Sequence, residues 1–498
     1  MMLVVEHGRV NLSEVLDGAA TRAGIALSVD QTPRTFADIA TVTRAGAHAL
    51  RRTGAKHVVY LATSGPAYPM ALMAAARAGL PFTPVNYRLA ADQIAALLAR
   101  FDDPLVVVDP VYADAVDHHQ RISVAEFLAA ATDTEPAELP EVDPAAVAVV
   151  LFTSGTTAKP KAVLLRQQTL ATYVQRATAA MLTRPGDTSL VAVPPYHVMG
   201  VTGVLNSYYA GRRMVFLPTF TAEGWLELAR SEQVTSATLV PTMIARIVRH
   251  LDGRTADVPS LRALVYGGSK MPRSVLEQAL RAFPAVDFAN GYGLTETSAG
   301  ITALGPDDHR AALASDDPAV AARLTSAGRP GPGIDLEVRD PEGSVLGPGQ
   351  VGELWVRGAT VSGEYSTGSV LDADGWFPTR DRAHIDAEGY LFLHGRNDDT
   401  IIRGGENIAP AEIEDVLDAH PAVYAVAVVG LPDEEWGQRI VAAVVARPGT
   451  SADELAAFVR ERLRGSRTPD EIIFRDELPQ TDTGKIQRKV LVAELMSG

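Results

Sequence analysis

Lysines beside a cluster of hydroxyls are a chemistry for holding phosphate, and the stretch LFTSGTTAKPKAV, residues 151–163, carries that combination. Thr153, Ser154, Gly155, Thr156 and Thr157 are all small, and Lys159 and Lys161 flank a proline. An apolar, strand-like run precedes them and a helix-like run, QQTLATYVQRATAAML, follows. In a tight turn, backbone N–H groups and hydroxyls wrap phosphate oxygens while lysines add charge. The spacing G-x-x-x-x-G-K-[ST] of the common P-loop is absent. On these residues alone a Ser/Thr-rich surface turn stays open as the alternative. The chain has no cysteine, which excludes disulfides, thiolate metal sites and a cysteine nucleophile. His197 has no neighbours at metal-ligand spacing, so no zinc site is assigned to it.

The elements that must position such a loop follow from the hydrophobic pattern. HVVYLATSG, PLVVVDP, AAVAVVLF, TSLVAVP, RRMVFLP, TSATLVP and LRALVYGG are short apolar runs. Helical stretches such as PAYPMALMAAARAG, AEGWLELARSEQV and PRSVLEQALRAF lie between several of them. This alternation predicts an α/β fold of parallel sheets covered by helices on both faces. After about residue 328 the rhythm changes to IDLEVRD, VGELWVRG and YLFLHGR, separated by Gly, Pro and Asp turns, which predicts a more antiparallel, barrel-like module. From about residue 399 a small α+β pattern begins. Its first helix, PAEIEDVLDAH, puts Ile413, Val416 and Leu417 on one face, with Pro410 in the first turn.

A chain of 498 residues allows about three units at roughly 150 residues each. Its net charge of −15 argues against non-specific binding to nucleic acid or to anionic membranes, while leaving room for a local basic pocket. No apolar run approaches the ~20 residues of a membrane helix, and the N-terminal MMLVVEHGRV does not read as a signal peptide. A cytoplasmic enzyme is the expected class.

Taken with the rest of the chain, the loop resembles the phosphate loop of the adenylate-forming superfamily, which includes acyl-CoA synthetases, luciferase and peptide-synthetase adenylation domains. The segments VPPYHVMG, LVYGGS, ANGYGLTET, GELWVRG, WFPTRDRAHIDAEGYL, GRNDDTIIRGGENIAPAEIE and ELPQTDTGKIQRKVL keep the family's order over nearly the whole length. The resemblance implies a large domain over residues 1–397, with its β-rich submodule at about 328–397. A small, mobile α+β domain follows over 398–498, hinged at Asp398. It implies ATP and Mg²⁺, a small carboxylic acid, and CoA as co-substrate, in a monomer or homodimer. It also implies residue roles. Lys485 would bridge the carboxylate and the α-phosphate, although a lone lysine is otherwise a solvated charge. Glu296 resembles the Mg²⁺-linked carboxylate, with a helix-start acid as the plainer alternative. Asp381 would accept from the ribose hydroxyls, supported by Arg396. Tyr292 would stack on adenine, where core packing is the alternative. Gly267, Gly268 and Gly291 would allow close approach, and Asn290 would face the exocyclic amine. Ser269, Gly293 and Thr295 complete the nucleotide-binding strand ends, and Thr153 to Thr157 with Lys161 hold the phosphates.

His197 resembles the histidine bordering the carboxylate, as a steric gate or an acid–base group. Val201, Tyr266, Gly267, Leu294, Ser298 and Ala299 are expected to line the acyl pocket with it. The helix HVMGVTGVLNS carries no acid to capture an amino group, which favours an aryl or medium-chain acid over an amino acid. Gly404 and Gly405 would wall a tunnel for the slim thiol arm of CoA, and Arg403, Arg439 or Arg467 would meet its nucleotide end. The chain departs from the family at Ala158, Ala162 and Arg380, where glycine is usual. An added Cβ there makes φ > 0 costly. An acid–thiol ligase leads. An amide-forming synthetase of the same fold, using an amine, and a nucleotide-binding protein without catalysis are the alternatives.

Overall fold

The computed structural model describes residues 10–497 apart from 117–119, 136–137, 154–159, 181–183, 185 and 482–483, and of residues 178–180 it describes the backbone alone. Ser154, Gly155, Thr156, Thr157 and Ala158 therefore lie outside the described residues. Two large sheets dominate the N-terminal domain. The eight-stranded sheet runs, edge to edge, Gly368–Ser369, Glu364–Tyr365, Lys161–Arg166, Val147–Thr153, Phe82–Pro84, His57–Leu61, Pro104–Val108 and Gln120–Ser123. Its last five strands are parallel, and the hairpin Val147–Thr153/Lys161–Arg166 turns the chain back. The reason is visible strand by strand. Every residue of HVVYL, His57–Leu61, is buried, so helices must cover both faces of this strand. The helix Ala67–Ala78 is buried on every side, which its alanines permit by letting neighbours approach closely.

The seven-stranded sheet places Arg213–Phe216, Thr188–Val191, Ser236–Leu239, Ala263–Gly267 and Asp287–Leu294 in parallel, then adds Ala299–Leu304 and Arg329–Pro330 antiparallel. The expected runs TSLVAVP, RRMVFLP, TSATLVP and LRALVYGG supply four of these strands. Between them lie the expected helices, Ala222–Ser231 and Arg273–Ala282. The helix Pro241–Leu251 starts with proline at its first turn, where a missing N–H costs nothing. Trp225 is fully buried and packs edge-on to Phe283, anchoring the helices outside this sheet.

After residue 328 the chain forms the expected antiparallel module, a four-stranded sheet ordered Ile334–Arg339, Gly352–Gly358, Phe377–Ile385, Leu391–Arg396. The C-terminal α+β domain has the hairpin Ile401–Arg403/Glu406–Ile408 and the sheet Val423–Asp433, Gly437–Ala446, Glu471–Phe474. In its helix Pro410–Asp418, Ile413 and Leu417 are fully buried and Val416 is partly buried against the same core. No helix among the described residues is long and apolar enough to cross a membrane.

Candidate active site

The strand Phe377–Ile385 pairs antiparallel with Leu391–Arg396, and their register sets Asp381 directly opposite Arg396. Cross-strand neighbours on one face are close enough to pair, and Arg396 Nε lies 3.1 Å from Asp381 Oδ1. The Tyr292 phenol donates to the other carboxylate oxygen at 2.6 Å. Asp381 is thus a buried acceptor held from both sides. Burial and the Asp381 carboxylate push the Tyr292 phenol well up, so it stays a donor. Burial works against the charge of Arg396, but the carboxylates of Asp381, Glu296 and Asp399 outweigh it and raise its pKa.

Glu296 sits in a tight helical turn, Thr295–Thr297, directly after the strand Asp287–Leu294. Its carbonyl accepts from Ser362 N at 2.8 Å and Gly363 N at 3.2 Å, and its carboxylate accepts from the Tyr365 phenol at 2.7 Å. Lys161 Nζ stands 5.5 Å over the ring of that tyrosine. Thr153 pairs with Lys161 in the hairpin register, so these two bracket the segment 154–159. Burial first, then Glu296, raises the Tyr365 phenol, leaving it neutral. Tyr365 is absent from the sequence expectation. Nothing in the spacing of its segment, SGEYSTG, marks it, and long-range contacts bring it to the site, among them its antiparallel bridge to Val163 and the neighbouring Arg166–Glu364 ion pair. The turn beyond Glu296 is strained: Ser298 has φ +60° and Ala299 φ +99°. Non-glycine residues there cost of order 1–3 kcal/mol each, and such strain clusters at functional sites.

Lys485 comes from the C-terminal domain. Its N–H donates to Thr481 Oγ1 at 3.1 Å, and its carbonyl accepts from Thr481 N at 2.8 Å, closing a small loop. Gly484 in that loop has φ +78°, and a Cβ there would stand 2.0 Å from a methyl of Thr242, at the start of the helix Pro241–Leu251. Lys485 as a whole is exposed, yet its ammonium lies in a crowded field. Desolvation and then Arg396 lower its pKa, while Asp381, Asp399 and Glu296 pull the other way.

The glycines on the neighbouring strands have steric reasons. Gly267 lies opposite Gly291, and a Cβ on Gly267 would stand 2.2 Å from the Gly291 carbonyl oxygen. Gly293 is packed against Ala299, whose carbonyl oxygen would lie 1.8 Å from an added Cβ. Gly268 has φ +86° and Ser269 Oγ has no partner among the described residues. Asn290 donates to the Ser326 carbonyl at 3.2 Å.

Beside this cluster lies a cavity of about 300 Å³ whose lining includes Tyr266, Asn290, Ala299, Gly200 and Asn206. Val201, expected to line the acyl pocket, does not line this cavity: it is fully buried in the core with Val204, Leu205 and Tyr208. The helix Val198–Tyr209 explains the difference. Val201, Val204, Leu205 and Tyr208 share one face at helical spacing, whereas Met199, Gly200, Thr202, Gly203, Asn206 and Ser207 contribute to the cavity wall. Leu294 and Ser298 also lie off the cavity, in the turn that carries Glu296, where Leu294 N donates to Thr297 Oγ1 at 2.9 Å. Gly267 is taken up by its contact with Gly291. His197 occupies the N-cap of the helix rather than the cavity wall, and its carbonyl accepts from Gly200 N at 2.8 Å.

Gly404 and Gly405 form the tip of a hairpin, with φ +56° and +82°. Positive φ at both central residues is what a two-residue hairpin turn requires, and a Cβ on Gly404 would meet the Trp436 ring at 2.9 Å. Arg403, Arg439 and Arg467 are each engaged by a carboxylate, of Asp470, Glu471 and Glu406 respectively. Ala162 fits its strand without strain. Arg380 does not: its φ is +62°, in the region glycine occupies freely, and its guanidinium lies 3.9 Å from Asp398.

Residues 17–366 match the AMP-binding enzyme family and residues 412–485 match the AMP-binding enzyme C-terminal domain. The chain belongs to this family: it is an AMP-forming, acyl-adenylate-forming ligase of the acid–CoA ligase group, and ATP is its nucleotide. It is 34% identical to a feruloyl-CoA synthase of Amycolatopsis sp over 91% of this chain and 92% of that one. The structure resembles ATP-bound MatB from Rhodopseudomonas palustris, with TM-score 0.86 and 25% identity, over 97% of this chain and 99% of that one. It resembles the amide bond synthetase McbA from Marinactinospora thermotolerans equally well, with TM-score 0.86 and 27% identity, over 97% and 99%.

The backbone at Arg380 yields a stability test. Glycine normally destabilises relative to alanine, by roughly 0.5–1 kcal/mol. At this position the order should invert, because an alanine Cβ keeps the left-handed cost, about 1–2 kcal/mol. Arg380→Gly is expected to unfold at higher urea concentration than Arg380→Ala, by about 1 kcal/mol. The usual order of the two variants would show that this backbone carries no such cost.

Proposed function

We propose that this ligase activates an aryl or medium-chain carboxylic acid as its adenylate and passes the acyl group to CoA. The observation that carries the reading is the meeting of groups from two domains. Asp381, Arg396, Tyr292 and Glu296 belong to the N-terminal domain, and Lys485 brings a cation among them from the C-terminal domain. In the first step a carboxylate oxygen attacks the α-phosphorus and pyrophosphate leaves. Negative charge gathers on the phosphoryl oxygens, so fixed cations aimed there lower the barrier. Lys485 supplies that cation between the two anions. Asp381, an acceptor-only group oriented by Tyr292 and Arg396, takes the ribose hydroxyls.

Glu296 would hold a magnesium ion, since such ions take one or two carboxylates from the protein and leave the rest to substrate and water. Tyr365 holds one oxygen of that carboxylate and orients the other. Bound there, the ion supplies charge neutralisation for the phosphates. The remaining residues of the phosphate loop, Ser154 to Thr157, serve the same oxygens. The second step is attack of the CoA thiol on the acyl carbon, with AMP leaving. For it the C-terminal domain, 398–498, swings about Asp398 relative to 1–397, and the Gly404–Gly405 turn comes to the acceptor path. The Arg380–Asp398 attraction then belongs to the adenylation arrangement.

The amide-forming alternative keeps weight because the structure resembles McbA, an amide bond synthetase, over nearly its whole length. Both acceptors use the same adenylate, so the acceptor must be assayed separately. Pyrophosphate release with Mg-ATP and an acid, followed by CoA or simple amines offered apart, is expected to give an acyl thioester with CoA. Asp398→Pro should slow that transfer more than adenylation, because proline fixes φ. An adenylate that persists with CoA and is consumed by amines would replace the thiol reading with the amide one.

Lys485→Ala is expected to reduce pyrophosphate release by a hundredfold or more, on the scale of a lost charge-stabilising donor, with the far-UV spectrum unchanged. The wild-type rate should also fall on the alkaline side. Lys485 acts as a cation, its pKa lies below the ordinary lysine value of 10.5, and the charged fraction falls as pH rises through it. Lys485→Arg should lose that alkaline decline, since a guanidinium stays protonated. An unchanged profile in Lys485→Arg would remove Lys485 as the titrating group.

A further inference from the structure

A seam between the two domains lies apart from the adenylation cluster. Its N-terminal side has Lys270, just after the strand Ala263–Gly267, and the strand Leu391–Arg396. Its C-terminal side is the helix Pro410–Asp418. Gly395 and Ala411 mark the contact: a Cβ on Gly395 would stand 3.6 Å from that of Ala411. Ala411, Asp415 and Asp418 share one face of the helix at helical spacing. Asp415 accepts from the Lys270 ammonium, an ion pair that joins the two domains away from the hinge.

The surroundings make Lys270 matter to more than one acid. Asp418, one turn on from Asp415, is pushed up to about 7 by burial, while Lys270 pulls it back down. Lys270 therefore stands over two acids of the other domain, which repel each other without it. His394 borders the same group, hydrogen-bonded to His384 at 2.7 Å. Burial first, then His384, brings His394 down to about 4, so it stays neutral near pH 7 and does not take over the role of the ammonium. The side chains of Lys270 and Asp415 are 44% and 53% exposed. A pair of that kind stabilises modestly and is screened by salt. An ammonium is also a point charge that pairs without the fixed fork of a guanidinium. Both properties suit a contact made and broken once per turnover.

Resting on the adenylation reading above, we propose that Lys270 is a positioning residue for the two-step reaction. Through Asp415 and Asp418 it holds the C-terminal domain in the arrangement that brings Lys485 to the nucleotide, and so sets the ratio of acyl transfer to adenylation. Lys270 touches no reacting atom in this role. A cation lost from the seam leaves the docked arrangement less populated and the swung one more so, while the chemistry within each is unchanged.

The test combines a distance with a ratio of rates, both on the full chain. The chain has no cysteine, so two introduced ones take spin labels without background. Glu223→Cys and Tyr424→Cys lie at exposed positions, one in each domain. The ratio is that of single-turnover acyl transfer, to whichever of CoA or an amine the wild type uses, over acid-dependent pyrophosphate release. Lys270→Gln and Asp415→Asn are each expected to lower the docked distance population and to raise the ratio by about two- to fivefold, the range of a half-exposed pair. Lys270→Arg keeps the charge and should keep the wild-type ratio within about twofold. Raising salt to about 0.5 M should move the wild type toward Lys270→Gln and leave that variant nearly unmoved, which a packing role would not do. Unchanged distances and ratio in Lys270→Gln overturn the proposal and leave adenylation standing. A docked population that falls while the ratio holds overturns it too, because the seam then does not set the ratio. Pyrophosphate release by the wild type from no acid of an aryl and fatty-acid panel removes the adenylation reading and this proposal with it.

Discussion

Lys485 enters the field of Asp381, Arg396 and Glu296 from a different domain, and Gly484 packs closely against Thr242 where the domains meet, a contact accompanied by the Lys270–Asp415 ion pair. A side chain on Gly484 would occupy the space of the Thr242 methyl, and its φ of +78° is one that other residues adopt at a cost. The loop is closed by the paired bonds between Thr481 and Lys485, so the lysine moves with its domain rather than alone. The ammonium is thereby brought into the field of Arg396, Asp381, Asp399 and Glu296. A cation placed there by docking can also be withdrawn by undocking, which suits a reaction whose second step needs the adenylate exposed to an acceptor.

The groups it meets are held more rigidly than a surface site would be. Asp381 is fixed by Tyr292 and Arg396, Glu296 by Tyr365 and by two backbone N–H groups on its carbonyl. Low local dielectric makes such networks strong when complete and costly when broken. The positive φ values at Ser298, Ala299 and Arg380 lie on the segments carrying Glu296 and Asp381. Folding free energy from the large buried sheets offsets that strain and keeps the carboxylates aimed.

Much of this was legible in the residues, for physical reasons that differ between parts. Strands buried on both faces announce themselves as continuous apolar runs, as HVVYL does. The five groups Tyr292, Glu296, Asp381, Arg396 and Lys485 lie in segments distinctive enough to single out, and the fold brings them to one place. Val201 was misplaced because the helix Val198–Tyr209 is apolar around much of its circumference. Periodicity separates its faces but does not say which one looks into a cavity. Tyr365 was invisible because its importance comes from long-range contacts such as its bridge to Val163, and the docking of Gly484 on Thr242 joins residues far apart in the chain.

The central claim is that the acid's own oxygen forms a bond to the α-phosphorus. An acid labelled with heavy oxygen in its carboxylate tests this directly. After a full turnover with ATP and acceptor, mass spectrometry of the products should find one labelled oxygen in AMP and none in pyrophosphate. Unlabelled AMP, with the label retained in the acid or carried into phosphate, would contradict the account.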